Sequence, residues 1–171
     1  IKFVAAGGYR EPYYKELQAL IQRHHLEDYV DFTGWLDEIE YVSYINAASI
    51  CLCPHVSTDH TNATFPNKVY LYNLFSKPII ASACIPLMRY IDETGGGVYY
   101  QSENARDLAD KIRELHSTPQ LRNQMGRVGR RAVLDKFCWR QTSQELVDMY
   151  TKLIQSHQMQ KKTPAEVLLI S

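Results

Sequence analysis

The sequence predicts an α/β fold built on a doubly wound parallel sheet, and three observations carry that reading. Short apolar runs alternate with longer segments of helical period, and the links between them are short. The runs Ser49 to Pro54 and Ile79 to Ser82 are apolar almost throughout, as strands buried on both faces must be.

In chain order, Ile1 to Ala6 is the first strand, stopped by Gly7 and Gly8. Pro12 to about His25 places Tyr14, Leu17, Leu20 and Ile21 on one helical face. Val30 to Gly34 is the next strand. The following helix, Asp37 to Ala48, carries Ile39, Val42 and Ile45 along one side. After the buried run at Ser49 to Pro54 comes a polar loop. Pro66 suits a first helical turn, where its missing N–H costs nothing, and that helix runs to about Phe75 before Lys77 and Pro78 end it. Ile79 to Ser82 is a buried strand, Pro86 to Thr94 a short helix stopped by Gly95 to Gly97, and Val98 to Tyr100 the last strand. Ala105 to His116, Gln120 to Lys136 and Gln141 to His157 read as helices, broken at Pro119 and at Phe137 to Trp139.

A chain of 171 residues suits a single core. Lysine plus arginine equals aspartate plus glutamate at 19 each, so no net field holds nucleic acid or an anionic membrane surface, and any anion must be held locally. No stretch approaches the roughly 20 apolar residues of a membrane span, and no secretory layout opens the chain. Cysteines 51, 53, 84 and 138 lack the spacing of a disulfide framework. A soluble protein of the reducing cytoplasm is the expectation.

Sheets of this kind bind ligands beyond the carboxyl ends of their strands. Of the loops there, the one after Pro54 is the most polar, with Ser57, Thr58, Asp59, His60, Thr61, Asn62 and Thr64 leading to a helix whose first turn carries Lys68. Free amides at a helix start beside hydroxyls and an ammonium make a seat for phosphate. A cation there opposes the helix dipole, which fits an anionic partner or simple exposure. The same Thr58, Asp59, Asn62 and Thr64 also suit ordinary capping and turning.

Other features carry less. Cys51, Cys53, His55 and His60 cluster in sequence, but two cysteines at alternate positions share a strand face as buried small residues do, and no metal is expected. Gly7 and Gly8 lack a dinucleotide fingerprint and suit a strand-ending turn. Trp35 is open to base stacking or partial burial. Arg122, Arg127, Arg130 and Arg131 read as a solvated helix face, and His24 and His25 as a helix end.

The stretch PHVSTDHTNATFPNKVYLYNLFSKPIIASACIPLMRYIDETGGGVYY, with KFVAAGG and VDFTGWL before it and ENARDLADKI and QMGRVGRRAVLDKFCW after it, resembles the C-terminal, donor-binding half of the retaining glycosyltransferases of GT-B fold. The family is the large one numbered four, or group 1. The resemblance covers residues 1 to about 154 and implies a Rossmann-like domain, taken over residues 1–157, while the abrupt change of composition from Gln158 leaves residues 158–171 as a tail open to disorder. It also implies a nucleotide diphospho-sugar as donor substrate with no cofactor, in glycan or polysaccharide synthesis. By this likeness Asp59, His60, Thr61, Asn62, Thr64, Asn67 and Lys68 lie against the donor sugar and diphosphate, and Gly34, Trp35 and Leu36 near the base. No nucleophile or general base is named by it.

Two departures qualify the likeness. The family's paired glutamates fall at Ala63 and Leu71, so ribose recognition must shift, to Asn67 or Tyr72 for example, or be lost. The family also places a strand and helix, with a diphosphate-clamping arginine and lysine, ahead of the segment KFVAAGG resembles, and an acceptor domain ahead of those. Without them the first two strands and the next lack a shared neighbour, and the chain alone is expected to transfer no sugar. Any peripheral membrane association is expected only through that acceptor domain. The alternatives are a non-catalytic, partner-binding module and an epimerase acting on a nucleotide sugar.

Overall fold

The computed structural model describes the backbone of residues 1–162 and the side chains of residues 1–157. The elements alternate as expected: β1 (Phe3–Ala6), α1 (Glu11–Arg23), β2 (Val30–Gly34), α2 (Glu38–Ala47) and β3 (Cys51–Cys53). Then follow α3 (Asp59–Asn62), α4 (Lys68–Leu74), β4 (Ile79–Ser82), α5 (Ile85–Thr94), β5 (Gly97–Tyr100), α6 (Ala105–Ser117), α7 (Pro119–Asp135) and α8 (Trp139–Lys162). All strand pairs named below are parallel.

The strands form two sheets. β1 pairs with β2, and β3, β4 and β5 form a second sheet in that order. Among the described residues no strand joins β1 to β3, so the single sheet expected from the alternation is split at that point.

The second sheet is wound on both faces. Because side chains alternate along a strand, Cys53, Ile79 and Ala81 pack on one side with Val69 of α4 and Leu87 and Ile91 of α5. Ile80 points the other way, with Tyr100 and Leu115 of α6, and Leu121 and Met125 of α7 close over them. Asn73 of α4 is fully buried between α4, α5 and α7. Its Oδ1 accepts from the Tyr90 hydroxyl at 2.7 Å, and its Nδ2 donates to the carbonyls of Lys77 and Gly96 at 3.0 Å each. Gly96 and Gly129 leave room for it, since a Cβ at either would lie within 2.6 Å of its amide.

Several boundaries differ from the sequence reading. Pro66 precedes α4, whose N-cap, Asn67, is already helical with φ −55° and makes no side-chain cap. The polar loop holds a helical turn, α3, started by a capping box between Thr58 and Thr61. Pro119 opens α7 rather than breaking the chain, as proline at a first helical position does. α8 starts at Trp139 and runs through residues 158–162 of the expected tail; the rest of that tail lies outside the described residues. The arginine run is no mere solvated face. Arg122 donates to the last carbonyls of α6, Leu115 and His116, at 2.6 Å each, and Arg130 to Leu74 at the end of α4. Gly95 closes α5 with φ 64°, a left-handed conformation that suits glycine. Gly7, φ 138°, donates to Gly34 at 3.1 Å and ends β1 as a turn. Among the described residues no helix is long and apolar enough to cross a membrane.

Candidate functional site

β3 ends in Cys53, which is fully buried, and the chain leaves the sheet through Pro54 and His55. α4 returns so that Lys68, half-buried, stands beside Pro54 in the wall of a cleft of about 760 Å3 between β1 and β3. The surrounding groups register that ammonium. Burial first, and the Lys68 charge second, hold the His55 imidazole below its ordinary value. Burial pushes the Cys53 thiol up to about 11, with Lys68 pulling it down and Cys84 pushing it further up. Cys51 is driven to about 12, chiefly by burial, so neither strand cysteine is a thiolate at neutral pH. Both are buried on the same strand side, and among the described residues no three metal-binding side chains gather.

The start of α4 offers fewer amides than its sequence suggests. Val69 N–H donates to Pro66 O and Tyr70 N–H to Asn67 O, both at 3.1 Å. Two of the expected donors are therefore spent within the turn. The Lys68 side chain, not the helix start as a whole, is the strong anion-seeking group here.

Most of the loop's hydroxyls and amides also serve the fold. Thr61 Oγ1 donates to Val56 O at 2.7 Å and accepts from Thr58 N–H at 2.8 Å. Asn62 accepts from Ile85 N–H at 2.9 Å and donates to Ser57 Oγ at 3.3 Å, so it ties the loop to the start of α5. Thr64 Oγ1 donates back to His60 O at 3.0 Å. Asp59, His60 and Asn67 are exposed. Of these residues only Lys68 enters the cleft wall.

Gly34 ends β2, on the other sheet, Trp35 and Leu36 follow it, and none of the three lines the cleft. Trp35 is 88% exposed, its ring edge over Gly8. His55, weighed in the sequence for metal, feels the Lys68 charge but does not line the cleft.

A family model described as glycosyl transferases group 1 matches residues 1–132. The human alpha-1,3/1,6-mannosyltransferase ALG2 is 24% identical over 160 residues, covering 90% of this chain and 37% of the relative. Among solved structures, sucrose-phosphate synthase from Thermosynechococcus elongatus superposes with a TM-score of 0.77 at 22% identity, over 90% of this chain and 38% of that one. Anabaena HepE, solved in complex with UDP, gives 0.80 at 17% identity, over 89% and 41%. The chain thus spans well under half the length of each of these three proteins.

Proposed function

We propose that this chain, which belongs to the glycosyl transferases group 1, is the donor-binding half of a retaining transferase and seats the pyrophosphate of a nucleotide sugar at Lys68. The observation that carries the reading is the half-buried Lys68 near the carboxyl end of β3, at one end of the cleft between β1 and β3, on the side where doubly wound sheets take their ligands. That HepE is solved with UDP supports a nucleotide diphosphate as the ligand class. Negative charge grows on a departing diphosphate, and an ammonium beside it stabilises that charge. The acceptor, the catalytic groups and the rest of the diphosphate clamp belong to the longer protein. Alone, the chain binds donor and transfers nothing.

A second reading, a non-catalytic module, draws on specific observations. Leu71 and Ala63 stand where the family's acids are expected, and Thr61, Asn62 and Thr64 are occupied within the fold. Calorimetric titration with UDP and GDP separates the two. Saturable binding of either nucleotide is the expected result; heats no larger than dilution for both would favour the module.

A further inference from the structure

Three loops leave the carboxyl ends of the second sheet, and one line of hydrogen bonds joins them. Ser57 N–H, in the loop after β3, donates at 2.9 Å to Oγ of Ser102, in the loop after β5. Asn62 Nδ2 donates to Ser57 Oγ at 3.3 Å, and Asn62 Oδ1 accepts at 2.9 Å from the N–H of Ile85, the first residue of α5. Ser102 and Ile85 lie 45 and 23 residues from these partners, so the two contacts fix the polar loop to the rest of the fold, which turns inside the loop cannot do.

The loop that carries Ser102 is itself braced. Gln101 N–H donates to Asp107 Oδ2 at 2.7 Å, while Asn104 accepts from Asp107 N–H and donates to Gln101 Oε1 at 3.1 Å each. Glu103, next to Ser102, takes φ 61°, a left-handed conformation that a non-glycine residue keeps only where its surroundings impose it. The Ser102 hydroxyl is therefore a fixed acceptor.

What it holds is the segment facing Lys68. Pro54 shares the cleft wall with Lys68, and the Lys68 charge acts on His55. Ser57 follows two residues later, and its backbone is the part that Ser102 grips. At the loop's other end Phe65 packs on Tyr70 and Tyr90, with centroids 4.7 and 5.3 Å apart, so the side leading into Lys68 has an apolar anchor of its own. The side leaving β3 has no such anchor, Val56 being 50% exposed.

We infer that Ser102, acting through the Ser57 backbone, is a positioning residue for the Lys68 site: it holds residues 54–57 in place beside the ammonium, so that an anion meets a formed seat. A ligand that had to order this segment on arrival would lose affinity by doing so. The inference rests on the reading of Lys68 as the donor's seat.

The test compares Ser102→Ala, Ser102→Thr, which keeps the hydroxyl, and Leu115→Ala, which loosens the core at the far end of α6 from this loop. Calorimetry with UDP and GDP should show the affinity for the nucleotide that binds about 5-fold weaker in Ser102→Ala, the worth of one hydrogen bond, and restored to within about 2-fold in Ser102→Thr. Leu115→Ala should lower the unfolding midpoint and leave the affinity of the folded chain unchanged. The His55 imidazole, titrated by NMR without nucleotide, reads the segment's position: its midpoint should rise in Ser102→Ala, as burial and the Lys68 charge both slacken, and return in Ser102→Thr. A His55 midpoint that stays put in Ser102→Ala would overturn the inference, as would an equal affinity loss in Leu115→Ala. Binding by the parent chain that Ser102→Ala leaves intact removes the positioning role alone, whereas a parent chain that binds neither nucleotide removes the donor reading and this role with it.

Discussion

The unit β1–α1–β2 and the unit built on β3, β4 and β5 come from similar alternations of strand and helix, yet only the second has a core. No residue of β1, α1 or β2 is buried, whereas Ile79, Ile80 and Leu115 have no accessible surface. Between α1 and the first sheet, Phe3, Leu17, Leu20, Ile21 and Phe32 leave a hollow of about 410 Å3 instead of closing on one another. The aromatic stack of Tyr9 on Tyr14, with centroids 4.0 Å apart, holds one end. Amphipathic pattern thus sets an element's type, but burial requires a layer on each side. Two strands with a helix on one face bury little.

Mutations should divide along the same line. Asn73→Ala would leave the Tyr90 hydroxyl and two carbonyls without their partner, and a loss of about 4 kcal/mol is expected in denaturant unfolding. Leu115→Ala, at a site with no accessible surface, should cost about 3 kcal/mol, while Phe3→Ala in the first unit should cost about 1 kcal/mol. Equal losses for Leu115→Ala and Phe3→Ala would erase the contrast between the units.

Lys68→Ala should leave unfolding nearly unchanged and weaken UDP or GDP binding by about 2 kcal/mol, close to 30-fold, in calorimetry. Undiminished affinity would take Lys68 out of the site. The smallest effect concerns pH. The His55 imidazole is held below its ordinary value by burial and then by Lys68, so in that window the unfolded chain binds more protons than the folded one. His55 therefore favours the fold above about pH 6.5, and that contribution is lost as pH falls below it. His55→Gln should flatten the acid side of a melting-temperature profile slightly; an unchanged slope would show that His55 does not contribute.

What could be read from the sequence follows from how local each cause is. The strands were legible because a buried run announces itself residue by residue: Val30–Gly34 and Ile79–Ser82 stand as expected. α3 was not, because a turn capped by two threonines looks like any polar loop. Asn73 was hidden for a related reason, as an asparagine within a helix suggests a wet face until Gly96 and Tyr90 are brought to it by the fold. In the candidate site, Lys68 could be placed from its position after the buried run and polar loop. The internal duties of Asn62 and Ser57 could not, because their partners, Ile85 and Ser102, are distant in sequence. The split sheet lies between these cases: a missing neighbour for β1 and β3 was expected, while the bare, facing edges needed coordinates.

The claim on which the functional account rests is that a nucleotide diphosphate sits at the carboxyl end of β3 beside Lys68. Amide chemical shifts of the isotopically labelled chain, followed as UDP and then GDP are added, test it most directly. Saturable shifts concentrated from Cys53 to His55 and around Lys68, and lost in Lys68→Ala, are the predicted result. Shifts confined to other surfaces, or none with either nucleotide, would contradict it.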